Sequence, residues 1–258
     1  MSFSCTDLTK VFEGKNGSVQ ALADLTLHVD DHEFVAVVGP SGCGKTTLLK
    51  IIAGLSDASS GTVTFGGATP NGKIRAAVVF QEHALFPWMS VQDNVAFALE
   101  AQGQPRQKRL RESSHWIEVV GLGDSSNRYP FEISGGMQQR VNIARALIAD
   151  PQVLLMDEPF GSLDAQTKII LQEELLRVWR ENRKEVLYVT HDIEEAVLLA
   201  DRVLVMSGLP GHIIAEFRVP FDRPRDLTGH RHKELAEIKW KIWNILGEHV
   251  RETLSVNP

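Results

Sequence analysis

The sequence predicts an α/β fold with a mostly parallel sheet, an antiparallel β subdomain and an inserted helical subdomain. Three observations carry that prediction. Short apolar runs alternate with helix-like stretches, the pattern of strands joined by crossover helices. One early stretch, Val19–Val29, instead alternates apolar and polar residues, as a half-exposed antiparallel strand does. The stretch from about Pro87 to Asp150 lacks strand-like runs altogether and reads as helical.

Taken in order, Glu33 to Val38 (EFVAVV) reads as a buried strand that runs into a Gly-rich turn, GPSGCGKT, and Thr46 to Ala53 (TTLLKIIA) as the helix that follows. Later buried strands are expected at Ala76–Phe80, Val153–Asp157, Val186–Thr190 and Arg202–Met206. The helical insertion separates the first of these from the second. The QGQPRQKR segment within it reads as a solvated loop or a helix start. The expected organisation is one nucleotide-binding domain over residues 1–258. Residues 1–86 and 151–220 form the core with its β subdomain, 87–150 the helical subdomain and 221–258 a helical tail. In that tail, from about His230 to Val250, Leu235, Ile238, Ile242, Ile245 and His249 recur at helical spacing with Trp240 and Trp243 on flanking faces. Two readings of this helix stand: packing onto its own domain, or lying on a membrane. Its mixture of charge signs favours the first, since a membrane-surface helix prefers a basic polar face.

Composition narrows the function. In 258 residues there are 27 Lys and Arg against 33 Asp and Glu, a net charge of −6, which argues against sequence-independent nucleic-acid binding. Two cysteines, Cys5 and Cys43, make no disulfide framework and suggest a reducing compartment. The first ten residues do not read as a signal peptide, and the longest apolar runs are strand-length, far short of the about 20 residues of a membrane span.

The chemistry concentrates in a few segments. Gly39, Pro40, Ser41, Gly42, Cys43, Gly44, Lys45 and Thr46, with Thr47 adjoining, fit G-x-x-x-x-G-K-[ST] between a strand and a helix. Glycines let backbone N–H groups turn inward around a phosphate, and the helix N-terminus adds partial positive charge. Lys45 is expected to neutralise the β- and γ-phosphate oxygens and Thr46 to offer its hydroxyl to Mg²⁺. VLLMDE ends an apolar strand on two carboxylates. Asp157 is expected at the Mg²⁺, through water, and Glu158 as general base on the attacking water. Ser134-Gly135-Gly136 opens a second helix. This is first a capping motif, but free N–H groups there also make an anion site. Two anion sites in one chain point either to a second ligand or to a composite site in a dimer.

GPSGCGKT, Gln81 in VVFQEHALFPW, ISGGMQQR, VLLMDEP, GSLD and Val189-Thr190-His191-Asp192 form one ordered set that resembles the ATP-binding subunit of ABC transporters over about Phe3 to Phe217. FPWMSVQDNVAFALE, DEPFGSLDAQT, HDIEEAVLLADRV and GLPGHI look most like the nitrate, aliphatic sulfonate and taurine importer group. The resemblance implies a P-loop NTPase core that hydrolyses ATP with Mg²⁺ and closes head to tail with a second copy around two ATP molecules. It implies that Ser134 and Gly136 contact the γ-phosphate held at Lys45 of the other copy. It places Gln81 by the Mg²⁺ and the attacking water, His191 on the γ-phosphate orienting Glu158, and Asp164 in the segment crossing the dimer interface. Phe12 matches an adenine-stacking aromatic that is often Tyr. ISGGM stands where LSGGQ is commonest, so the Gln side chain is lost at Met137 while the Ser and Gly N–H groups remain.

The resemblance further implies membrane permease subunits as partners, a substrate-binding protein beyond them, and a place on the cytoplasmic face of the membrane. Leu85, Phe86, Pro87 and Trp88 form an apolar run read either as the permease contact or as core of the helical subdomain. Cys43 lies inside the cradle, so its alkylation is expected to block ATP binding by bulk. Two rivals fit less well. A GTPase wants an N-K-x-D motif that is missing, and DNA-repair relatives carry coiled-coil insertions or basic surfaces.

Overall fold

The computed structural model describes residues 3–14, 17–66, 75–82, 84–161, 163–221, 223, 225 and 232–256, with the side chains of 233–249 in the last helix. His83, Ser162 and His230, each part of a segment read above, lie outside the described residues. The first half of the chain holds β1 (Phe3–Gly14), β2 (Gly17–Val29), β3 (Phe34–Val38), α1 (Lys45–Ile52), β4 (Ser60–Phe65), β5 (Ala76–Val79), α2 (Val91–Ala101) and α3 (Arg106–Val119). The second half holds α4 (Gly135–Ile148), β6 (Val153–Asp157), α5 (Ala165–Asn182), β7 (Glu185–Thr190), α6 (Ile193–Leu199), β8 (Arg202–Met206), β9 (Ile213–Arg218) and α7 (His232–Val256). Contacts group these into two compact units, Met1–Gly67 with Glu185–Pro258, and Ala68–Lys184.

In the first unit β3 lies between β7 and β8, parallel to both, and β9 pairs antiparallel with β8. Every residue of β3, β7 and β8 is buried. This is why these strands read as unbroken apolar runs rather than as alternation: a parallel strand is covered on both faces. Arg202 stays buried in β8 because Glu33 accepts from it through both oxygens at 2.8 Å, and Glu216 takes a third contact at 3.1 Å. A separate three-stranded antiparallel sheet has the order β2-β1-β4. β2 is the alternating strand of the sequence, whereas β1 was not legible. Its register shifts between Cys5 and Leu8, where Asp7 adopts φ 52°, and a bulge breaks the period-two signal. The short half-exposed strands β4 and β9 also escaped the apolar-run criterion.

In the second unit β5 and β6 pair in parallel. The 87–150 stretch contains α2, α3 and α4, with short turns of 3₁₀-helix at Gly123–Ser125 and Pro130–Glu132. QGQPRQKR is both of the things it suggested, a loop through Pro105 and then the first turn of α3. These helices meet around Val91, Val95, Leu99, Ile117, Val141 and Ile148.

The last helix packs on its own unit. Leu235 and Ile242 are buried, and Lys239 pairs with Glu194 of α6. Trp240 and Trp243 are exposed. Among the described residues no helix is long and apolar enough to cross a membrane.

Candidate functional site

The phosphate loop joins the end of β3 to α1. Gly44 stands immediately before α1 at φ 100°, a conformation in which a Cβ would also meet the Ala21 carbonyl at 2.7 Å, so only glycine fits. Gly44 gives α1 no side-chain cap. By contrast, α2, α4, α5 and α6 are capped by the side chains of Ser90, Ser134, Asp164 and Asp192. The start of α3, after Pro105, also has no side-chain cap, so it is the glycine loop together with the missing cap that leaves the α1 start open to an anion. Lys45 is 5% exposed, and its Nζ donates to the carbonyls of Gly39 at 2.8 Å and Pro40 at 2.9 Å. Those acceptors are neutral, so a phosphate oxygen, which makes a charge-assisted bond, outcompetes them. Ser41, Gly42 and Thr46 are exposed, and Thr47 is half-buried.

Cys43 lies buried inside the cradle. Its side chain is 1% exposed, and burial pushes its thiol above the ordinary range against the opposing pull of Lys45. Burial slows alkylation there, because the reactive species is an accessible thiolate, and a group that did attach would still fill the cradle.

Phe12, near the end of β1, is 46% exposed. Val19 on β2 is its direct cross-strand partner and is also exposed, a neighbour that sequence reasoning did not single out. His191 follows β7 and is exposed, between two anchored residues. Thr190 Oγ1 donates to Glu195 Oε2 at 2.7 Å and accepts from the Asp192 N–H at 3.0 Å, while Asp192 caps α6. Tyr188 donates to the same Glu195 oxygen at 2.9 Å. Glu195 is buried and was also missed; its place four residues after His191 was the available signal.

The second unit carries the other predicted residues. Asp157 is the buried last residue of β6. Glu158 follows at φ 45°, a left-handed conformation that costs a non-glycine residue about 1–3 kcal/mol. The backbone thereby turns sharply where the carboxylate is presented. Gln81 converges on the same spot: a Cβ on Gly161 would sit 3.5 Å from Gln81 Nε2 and 3.6 Å from Glu158 Oε2. The resemblance, which sets both residues at the attacking water, implies this proximity; their spacing in sequence does not. Within this unit Asp157 and Gln81 offer carboxylate and amide oxygens, the hard donors Mg²⁺ takes while keeping several waters.

Ser134 and Gly135 are exposed at the start of α4, and the Ser134 Oγ accepts from the Met137 N–H at 3.3 Å. A hydroxyl that accepts there keeps its proton to donate elsewhere. Gly136 lies against the first turn of α5, where a Cβ would meet Thr167 Cγ2 at 2.8 Å. Asp164 Oδ1 caps that same turn, accepting from the N–H groups of Gln166 at 3.1 Å and Thr167 at 3.0 Å. Those bonds hold the exposed Asp164 carboxyl below its ordinary range. Met137 packs against the helical core, so the residue that departs from the usual motif has an internal packing role.

The Leu85–Trp88 run divides between its two readings. Leu85 packs on the helical core and Phe86 meets Phe97 at a tilt of 59° with centroids 4.7 Å apart, but Trp88 is 70% exposed. The buried Asn94, not singled out from sequence, holds the run in place. Its amide donates to the carbonyls of Phe86, Met89 and Ser90 and accepts from the Phe86 N–H at 2.8 Å.

A strand, a glycine cradle and a helix, with a carboxylate pair ending a second buried strand, define an ATP-binding P-loop fold. The family model described as "ABC transporter" matches residues 22–161, and the chain belongs to that family as one of its ATP-hydrolysing cassettes. The chain is 47% identical to an uncharacterized ABC transporter ATP-binding protein of Methanocaldococcus jannaschii, over 96% of this chain and 92% of that one. It is 49% identical to the nitrate import ATP-binding protein NrtD of Synechocystis, over 85% and 83%. It is 44% identical to an aliphatic sulfonates import ATP-binding protein of Bacillus cereus, over 94% of each. A bacterial ABC transporter cassette solved as a dimer superposes with a TM-score of 0.74 at 29% identity, covering 85% of this chain and all of that one.

Proposed function

We propose that this cassette energises an importer of a small anion such as a sulfonate, taurine or nitrate, working as a head-to-tail homodimer beneath membrane permease subunits. In this reading Lys45 and the α1 N-terminus bind the phosphates of ATP, while Phe12 and Val19 offer an apolar platform to adenine. Thr46, Gln81 and Asp157 hold Mg²⁺, which neutralises charge on the phosphates. Glu158 takes the proton of the attacking water, and His191 hydrogen-bonds the γ-phosphate and orients Glu158. Ser134 and Gly136 donate to the γ-phosphate bound by the other copy, and Asp164 belongs to the interface. Hydrolysis removes the group both copies share, and the dimer reopens. Trp88 contacts the permease, which keeps the cassette on the cytoplasmic face of the membrane and links it indirectly to a substrate-binding protein.

The observation that carries the dimer is the exposure of Ser134 and Gly135 at the start of α4. The relatives named for nitrate and aliphatic sulfonate import support the cargo class. The test is Glu158→Gln in gel filtration and steady-state hydrolysis. The variant is expected to bind ATP, to shift to a stable dimer with ATP and to hydrolyse about 10²–10⁴-fold more slowly. Turnover near wild type rejects Glu158 as the base. A monomer at saturating ATP rejects the composite site.

A further inference from the structure

The Phe12 ring has a backing that phosphate chemistry does not require. Lys10, two residues earlier on β1, holds its ammonium 5.0 Å from the centre of the Phe12 ring. The same ammonium donates a 2.6 Å hydrogen bond to the Asp57 carbonyl. Asp57 lies in the segment that leaves α1, the helix that begins at Lys45. Two more hydrogen bonds join strand and segment: the Val11 N–H donates to Ser59 Oγ at 2.9 Å, and the Ser59 N–H donates to the Thr9 carbonyl at 2.8 Å.

A cation within about 6 Å of a ring centroid is attracted to the negative face of the ring. Lys10 therefore occupies one face of Phe12. The Asp57 carbonyl keeps the ammonium there instead of letting the side chain swing into water, where a long flexible stem gains entropy. We propose that Lys10 is a positioning residue for the nucleobase: its charge, anchored on Asp57, backs one face of the Phe12 ring and reserves the other for adenine. Lys10 acts through Phe12 and touches no part of the nucleotide. The hydrogen bonds to Asp57 and Ser59 also tie the platform to the segment leaving the phosphate-binding helix, so base and phosphates are held in register. The proposal rests on the reading of Phe12 as the adenine platform.

The experiment measures binding of Mg-ATP and of Mg-tripolyphosphate, which has no base, to the full chain and to Lys10→Met, Lys10→Arg and Phe12→Ala. Met keeps the stem length and removes the charge; Arg keeps a cation that both stacks and donates. Lys10→Met is expected to weaken ATP about two- to fivefold, the size of an exposed cation–π contact. Tripolyphosphate affinity should stay at the wild-type value, and Lys10→Arg should restore ATP binding. Equal loss for both ligands would make Lys10 a scaffold residue and overturn the proposal. So would unchanged ATP binding in Lys10→Met while Phe12→Ala weakens it. Unchanged ATP binding in Phe12→Ala removes the platform itself, a separate failure visible in its own variant. Retained tripolyphosphate binding shows that each variant is folded.

Discussion

Two helix N-termini in this chain carry glycine, one just before the helix and one in its first turn, and they are built in opposite ways. The start of α1 has no side-chain cap, a buried lysine and a buried cysteine beneath it, and a loop packed so closely on β8 that a Cβ on Gly39 would meet the Met206 carbonyl at 2.9 Å. The start of α4 is capped by its own Ser134 and lies exposed. The first is enclosed within its own unit, and the second is an open surface with its side-chain cap in place. On the proposed function, the contrast separates nucleotide capture by one chain from nucleotide-driven assembly of two.

Variants at the two helix starts should therefore fail differently. Lys45→Ala should have the largest effect, lowering ATP affinity about 10²-fold in the isolated chain by removing a charge-assisted contact. Calorimetry on the monomer measures it, and a small loss would put the binding energy elsewhere. Gly136→Ala should leave that monomer affinity intact yet lower hydrolysis about tenfold, because its Cβ must displace Thr167 where α4 meets α5. Equal damage to capture and hydrolysis in Gly136→Ala would erase the distinction between the two starts.

Trp88→Glu is expected to abolish coupled transport with the permease present and to leave basal hydrolysis within about twofold, since exposed sites tolerate substitution. Parallel loss of both would return Trp88 to a structural role. The smallest effect concerns Cys43. Its raised thiol pKa leaves less thiolate at any given pH below that pKa, so alkylation should be slower than for a free cysteine and should speed up with rising pH. Iodoacetamide labelling followed by mass spectrometry measures this; labelling at the rate of a free thiol would show that the loop opens readily.

The motifs were legible because their chemistry is local. A glycine cradle needs its lysine one residue after the last glycine, and a carboxylate pair needs only the end of a buried strand. The strands β3, β7 and β8 were legible because burial on both faces writes a continuous apolar run. β1 was not, because the bulge at Asp7 shifts its alternation out of phase. Asn94 and Glu195 looked like ordinary polar residues, and their partners became visible only once loops and helices were placed.

Sequence alone determined that this chain carries the ATP-binding core of an ABC cassette, and it marked out the glycine cradle and the carboxylate pair that the proposed mechanism uses. Tertiary structure decided the direction in which side chains face. It buried Cys43 inside the cradle, turned Leu85 inward and Trp88 outward within one apolar run, brought Gln81 to Glu158, and laid Lys10 over Phe12. Backbone geometry and nearby spacing encode the first kind of fact. The second depends on which distant segments pack alongside, and burial is a property of neighbours rather than of residue type.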